Sequence, residues 1–312
     1  MTMTALLAPF TWLLPLICGL FEGWGQYIGK VSGASKWSLL AGGFLFGIPF
    51  WAVWLWLDGM PEIQSSFYWV VPLHATLNAI GVMLLLTAVR LSPLMLSSTY
   101  LAMTPAFLLI VSPLIGAGTP TMIGGLGVFI LTICIYTINL KEGGQKEGRR
   151  IGWLDPFKNL AKEPGSLIML LVALIFAFTG SLDVRGIEAA SKPLYLLVDY
   201  GFIGVIGLVG EIVRQRLSGE KPNFSPWILL YGVAMTATFF FQMLAIGFLL
   251  NAPYVFAGKR AGTIAFTTIQ GIRLGRSGEK KYEREAENLS WRIPSIVGIV
   301  VGMILIIFFG KN

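Results

Sequence analysis

A helix needs about 20 mostly apolar residues to cross the hydrocarbon core of a bilayer, and runs of that kind recur along this chain. Ten qualify: residues 6–29, 37–57, 67–89, 93–115, 120–140, 166–187, 193–213, 226–249, 252–271 and 292–309. Only 12% of the residues are charged and 55% are hydrophobic, whereas a soluble domain carries roughly 25% charged residues. That leaves too little polar surface to coat a water-exposed globule. The expected class is all-α: a polytopic membrane protein of ten transmembrane helices, with the lipid bilayer as its solvent.

The joining segments are short apart from two. Lys141 to Gly165 is polar and glycine-rich, and its piece from Trp153 to Leu160 is amphipathic enough to lie at the interface. Gly271 to Ser290 is charged and expected to be helical in part. Of the 23 Lys and Arg residues, Lys259 and Arg260 fall inside a span, Arg185, Lys192 and Lys311 fall on one side, and the rest fall on the other. Cytoplasmic loops collect Lys and Arg, so the crowded side is expected to face the cytoplasm and both termini to lie outside. The net charge of +7 is then a matter of orientation, and no nucleic-acid partner is expected. Met1 to Leu20 lacks the basic start of a signal peptide, and its apolar run continues past Gly19. A compact chain without a targeting segment suggests a multi-pass protein of a prokaryotic cell (inner) membrane. Cys18 and Cys134 lie in apolar runs without metal or redox spacing and read as small packing residues.

The long linker divides the chain into a first five-helix unit, residues 1–140, a cytoplasmic linker, 141–165, and a second five-helix unit, 166–312. Two short matches relate the halves. Ala34-Ser35-Lys36-Trp37 and Ala190-Ser191-Lys192-Pro193 are offset by 156 positions, and Ser92-Pro93 and Ala252-Pro253 by 160. Because five is odd, the second copy enters from the opposite side, which makes an inverted repeat. In such proteins the binding site is expected near the middle of the membrane, where the halves meet.

The run Ala88-Val89-Arg90-Leu91-Ser92-Pro93, followed by Pro105, resembles the third-to-fourth helix signature of the drug/metabolite transporter superfamily of EamA type. That resemblance implies ten helices in two repeats of five, and a permease for small metabolites. Two features depart from the family pattern. Its frequent Gly-Glu pair after the fourth helix is Gly116-Ala117 here, and its members usually keep both termini cytoplasmic. Gly258-Lys259-Arg260 resembles the adjacent Lys-Arg of the plastid sugar-phosphate translocators, where the pair binds the substrate phosphate. Those proteins also carry a basic residue in the fourth helix, where the offset of 160 leads here to the uncharged Thr99 and Tyr100.

Charges inside a span cost roughly 2.5–3.5 kcal/mol each on insertion scales, so they tend to face the bundle interior or a wet cavity. Lys259 and Arg260 address one wide helix face, flanked by Gly258 and Gly262, a small-xxx-small pair that permits close helix approach. Arg offers a planar fork and Lys a point charge, a combination suited to phosphate or carboxylate. The competing reading is an internal salt bridge to Asp183 or Asp199, which fall on the same half of the membrane. Glu22, among Gly19, Gly23 and Gly25, is a candidate for proton coupling or for binding a cationic substrate, or else a partner for Gln26 or Gln242. His74, the single histidine, reads either as a hydrogen-bonded packing residue or as a switch, with Asn78 one turn on along its face. Tyr100, Gln242 and Tyr254 are further candidates for polar groups along a pathway. Glycines 201, 204, 207 and 210 and the pairs Gly43/Gly47 and Gly298/Gly302 read as packing stripes, and Pro105 and Pro113 as kinks in the fourth helix.

The expected function is secondary transport of a small-molecule substrate, leaning to an organic anion at Lys259 and Arg260. The alternative is export of amino acids or other amphipathic metabolites, with Glu22 in recognition and the Lys-Arg pair locked to Asp183 or Asp199. No nucleotide-binding motif, catalytic pair or metal-ligand spacing appears in the sequence, so neither an enzyme nor a cofactor is expected. A sensor would need a sizeable aqueous domain.

Overall fold

The computed structural model describes residues 11, 13–118, 121–140, 164–219, 225–249, 252–277, 279, 297–298 and 301–302. Among them the regular structure is entirely helical. Eleven helices follow in order: α1 Leu13–Val31, α2 Lys36–Leu45, α3 Ile48–Asp58, α4 Phe67–Leu91, α5 Leu94–Leu101, α6 Thr104–Ile115, α7 Met122–Leu140, α8 Pro164–Ala189, α9 Lys192–Ser218, α10 Pro226–Leu249 and α11 Ala252–Gly275. The amphipathic piece at Trp153 to Leu160, most of the start of the first expected span (6–29) before residue 13, and most of the span 292–309 lie outside the described residues. The charged segment after Gly271 begins as the end of α11, and most of the remainder also lies outside.

Among the described residues six segments are long and apolar enough to cross a membrane: Lys36–Asp58, Phe67–Leu91, Ser97–Ile115, Pro164–Ala189, Lys192–Ser218 and Pro226–Phe248. Burial is inverted relative to a water-soluble protein. Large apolar side chains such as Trp56, Leu114, Val205 and Val209 are exposed, while Glu22, His74, Asp183, Asp199, Lys259 and Arg260 are buried. That distribution suits a protein whose outer surface meets lipid.

Two expected spans are broken. Residues 37–57 divide into α2 and α3 at Phe46-Gly47, and 93–115 into α5 and α6 at Ala102-Met103. Each break sits just ahead of a proline in the first turn of the following helix, Pro49 and Pro105. A helix-interior proline lacks the N–H that residue i−4 needs and crowds its carbonyl. For Pro105 that carbonyl is Leu101 O, and the Thr104 hydroxyl donates to it at 2.6 Å. Pro113 stays inside α6.

Arg90 and Lys30 close two helix ends reciprocally. Arg90, at the end of α4, donates to Gly29 O at 2.8 Å and Ala34 O at 2.7 Å. Lys30, at the end of α1, donates to Val89 O at 2.9 Å and Ser92 O at 2.8 Å. The last carbonyls of a helix have no partner within it, and a cation suits the negative end of its dipole.

Helices from the two parts of the chain interleave. α1 packs most extensively on α11 and α10, α4 on α8, and α9 on α2, followed by α4 and α3. The α1–α11 crossing is the closest of these. A Cβ on Gly19 would collide with Lys259 O, and one on Gly262 with Leu16 O, while Gly258 faces Pro15. The stripe on α9 faces α2: Gly204 meets Leu45, Gly207 the Ala41 backbone and Gly210 Trp37, whereas Gly201 has only Ile48 at 4.0 Å. Cys18 is fully buried, its thiol 3.2 Å from Thr238 O, and both cysteines are free.

Candidate functional site

Between α1, α4, α8, α10 and α11 lies a cavity whose polar wall is formed by Glu22, Gln26, His74, Asn78, Asp183, Gln242 and Lys259. Val82, Leu85, Phe176, Tyr231, Phe239 and Phe256 supply most of its apolar wall. Its free volume is about 30 Å³, room for a water or two. An organic solute requires side chains or helices to move aside.

The close α1–α11 crossing sets one side. With Gly19 pressed against the α11 backbone, Glu22 one turn later meets the basic pair. Its Oε1 lies 3.2 Å from Lys259 Nζ, its Oε2 accepts from Arg260 Nη1, and the Thr263 hydroxyl donates to Oε2 at 2.7 Å. The cations also stack on aromatic faces: Lys259 Nζ lies 5.6 Å from the Phe239 ring centre and 5.3 Å from that of Phe256. The Arg260 guanidinium lies 5.7 Å from the rings of Phe176 and Phe256. Such contacts recover part of the stabilisation that a desolvated cation loses.

On the other side His74 stands between two carboxylates. Its Nδ1 is 2.7 Å from Asp199 Oδ1 and its Nε2 is 3.2 Å from Asp183 Oδ1. Asp183 also accepts from Tyr195 OH at 2.8 Å and, through Oδ2, from Gln242 Nε2 at 2.7 Å. Gln242 Oε1 accepts from Lys259 Nζ at 2.7 Å. One continuous chain therefore runs Asp199–His74–Asp183–Gln242–Lys259–Glu22–Arg260, through six helices.

Two expected pairings are corrected. Lys259 and Arg260 bind Glu22 directly and not Asp183 or Asp199, because the glycine contact brings α1 to α11 while His74 occupies both aspartates. Likewise the principal partners of Glu22 are the two cations and Thr263, not Gln26 or Gln242. Gln26 instead contacts Ser98, its Oε1 2.7 Å from Ser98 Oγ. Arg260 is almost fully buried behind the cavity and does not line it; Tyr100 is half-buried on α5 and does not line it either. Tyr254 lies apart as well, its hydroxyl accepting from Thr121 N at 2.8 Å. Asn78 lines the cavity with its Nδ2 buried and unpartnered among the described residues. Thr263 and Tyr195 were not singled out from sequence. Each sits one turn from a charged residue, Lys259 and Asp199, and that i,i+4 spacing is the signal that marks them. Among the described residues no group of three or more His, Cys, Asp or Glu is placed to hold a metal ion.

No family model matches the chain, and no curated protein matches it. A solved crystal structure, titled only as that of a protein, is similar with a TM-score of 0.62. The match covers 97% of each chain at 12% identity. That likeness concerns the fold alone.

Proposed function

We propose that this chain is a secondary membrane transporter of the drug/metabolite type, with ten helices arranged as two inverted repeats of five. The observation that carries the reading is a buried, charged, hydrogen-bonded chain lining a cavity at the meeting of the two halves. Intramembrane ionisable groups are costly and mark solute or ion pathways. The helix neighbours support the repeat. Exchanging first with sixth, second with seventh, third with eighth and fourth with ninth spans turns the α1–α11 contact into α8 with α5 and α6. The same exchange turns α4–α8 into α10–α1 and α9–α4 into α2–α10, all of which are neighbours. Ser35 and Ser191, matched in sequence, both cap helices: Ser35 Oγ accepts from Trp37 N and Ser191 Oγ from Leu194 N. The charge bias supports cytoplasmic placement of the Lys- and Arg-rich side and external termini in a cell membrane.

The solute favoured by this cavity is a small organic anion, a carboxylate or phosphate, engaging Lys259. Glu22 carries one charge against two on Lys259 and Arg260, so that wall keeps a net positive character. The solute's anionic group displaces Gln242 or Glu22 from Lys259, while Arg260 holds Glu22 in place. A second reading, favoured by Asp183 in the opposite wall, is a zwitterionic metabolite such as an amino acid, its amine at Asp183 and its carboxylate at Lys259.

Proteoliposomes offered labelled mono- and dicarboxylates, organic phosphates and acidic, neutral and basic amino acids separate these readings. Counterflow of an anionic or zwitterionic class, reduced at least about tenfold by Lys259→Ala, is the expected result; such a loss corresponds to about 1.4 kcal/mol of recognition. Undiminished counterflow in Lys259→Ala refutes the site, and absence of flux for every class in a folded protein refutes the transporter reading.

A further inference from the structure

Both ring nitrogens of His74 face carboxylate oxygens, at 2.7 Å and 3.2 Å. A neutral imidazole has one donor nitrogen and one acceptor nitrogen. With both nitrogens opposite acceptors, the cluster needs one proton more than a neutral ring and two carboxylates hold. Asp183 is poorly suited to carry it, since Oδ1 already accepts from Tyr195 and Oδ2 from Gln242. The extra proton therefore belongs to the short His74–Asp199 contact, and Asp199 Oδ2 is buried without a partner among the described residues. The charge count agrees. Glu22, Asp183 and Asp199 against Lys259 and Arg260 leave one negative charge uncompensated, and an imidazolium at His74 brings the buried set to neutrality, as burial in a low-dielectric interior favours.

We propose that the His74–Asp183–Asp199 cluster is the proton-coupling site of this protein and that Glu22, fixed by Lys259 and Arg260, is not; the proposal rests on the transporter reading above. His74 lines the cavity, so its proton has an exit. The N–H bond of the imidazolium breaks, its electron pair stays on nitrogen, and cavity water takes the proton. The groups around the ring come from every neighbouring element. α8 brings Asp183, α9 brings Asp199 and Tyr195, and across the cavity stand Glu22 of α1 and Lys259 of α11. Lys36 of α2 is engaged with Thr87 near the far end of α4, and Tyr100 of α5 does not line the cavity. Proton loss leaves an added negative charge beside Asp183, which opposes an anionic solute at Lys259. Anion and proton therefore bind together and move in the same direction.

His74 is the single histidine of the chain, so histidine labelled with ¹⁵N gives a one-site magnetic resonance spectrum of the full protein in lipid nanodiscs. At about pH 7 both ring nitrogens are expected to carry hydrogen, and Asp199→Asn is expected to leave one bare. A bare nitrogen in the unsubstituted protein overturns the proposal. In proteoliposomes, a solute-side acid gradient is expected to raise anion flux several-fold. The ratio of flux with and without the gradient is expected to fall to about one in His74→Gln and in Asp199→Asn. A gradient response retained in either folded variant also overturns it. If no solute is carried at all, the transporter reading fails, while the nitrogen spectrum still decides whether the proton sits in this cluster.

Discussion

Arg260 is the side chain whose burial is hardest to sustain without its partner. It is 1% exposed, and its Nε and Nη2 have no partner among the described residues. Its described hydrogen bond is to Glu22, the same carboxylate that meets Lys259. Removing one member of a buried pair strands the other, at a cost of about 3–5 kcal/mol. Glu22→Gln is therefore expected to lower the thermal unfolding temperature sharply in detergent. The double variant Glu22→Gln/Arg260→Met is expected to recover part of that loss, because the stranded cation is gone. Equal destabilisation in the single and double variants would mean that the pair is not the source. At this scale the sequence was informative about membership and poor about pairing. Composition alone picks out Glu22, His74, Asp183, Asp199, Lys259 and Arg260, since so few charges sit within apolar runs. Which acid meets which base depends on helix rotation and on where α1 crosses α11, and neither is encoded in spacing along one helix.

Between elements, small residues decide which helices touch. Gly258 and Gly262 were legible as a close-approach pair, and α1 fills that gap with Gly19 and Leu16. Partner identity was not legible, because a glycine stripe fits any helix of suitable shape. The α9 stripe offers an internal control. A Cβ at Gly207 would lie 2.5 Å from Ala41 N, backbone that has little room to yield, whereas at Gly201 it would reach ordinary contact with Ile48 at 4.0 Å. Gly207→Val is expected to destabilise by about 1–3 kcal/mol, as overpacking does. Gly201→Ala is expected to be neutral or to stabilise by up to about 1 kcal/mol through helix propensity. Thermal unfolding of the two purified variants checks the contrast, and equal effects would remove the α2–α9 contact as the cause. The two broken spans had a readable signal in Pro49 and Pro105. Mean hydropathy averages over a break, so each run looked like one continuous helix even though Pro105 already marked a kink.

Taken whole, the bundle is tied across its two parts at both ends. At the end where α1, α4 and α9 finish, the Ser35 hydroxyl donates to Glu211 Oε2 at 2.7 Å, and Glu211 also accepts from Arg214 at 2.7 Å and Gln215 at 2.8 Å. At the opposite end, Gln64 N donates to Ala189 O at 2.8 Å and its side-chain amide to Glu188 O at 3.1 Å. With only about 30 Å³ free between these ties, a solute cannot pass unless one end parts. In an inverted-repeat transporter the halves rock about a fixed central site, so the ends are expected to open in turn and never together. Cysteines placed at Ser35 and Glu211, or at Gln64 and Ala189, in a protein with Cys134 changed to Ser, can be joined by a short reductant-cleavable reagent. Either crosslink is expected to arrest solute flux in proteoliposomes almost completely, with recovery on reduction. Closing one end is expected to leave the cavity open to water-soluble thiol reagents from the other side alone, read from labelling of Asn78→Cys. Flux that survives either crosslink would mean that the solute does not cross between these two halves. Because Ser35 and Glu211 lie far from the cavity, such a result would reject the rocking motion while leaving the charged chain at Lys259 as a binding site.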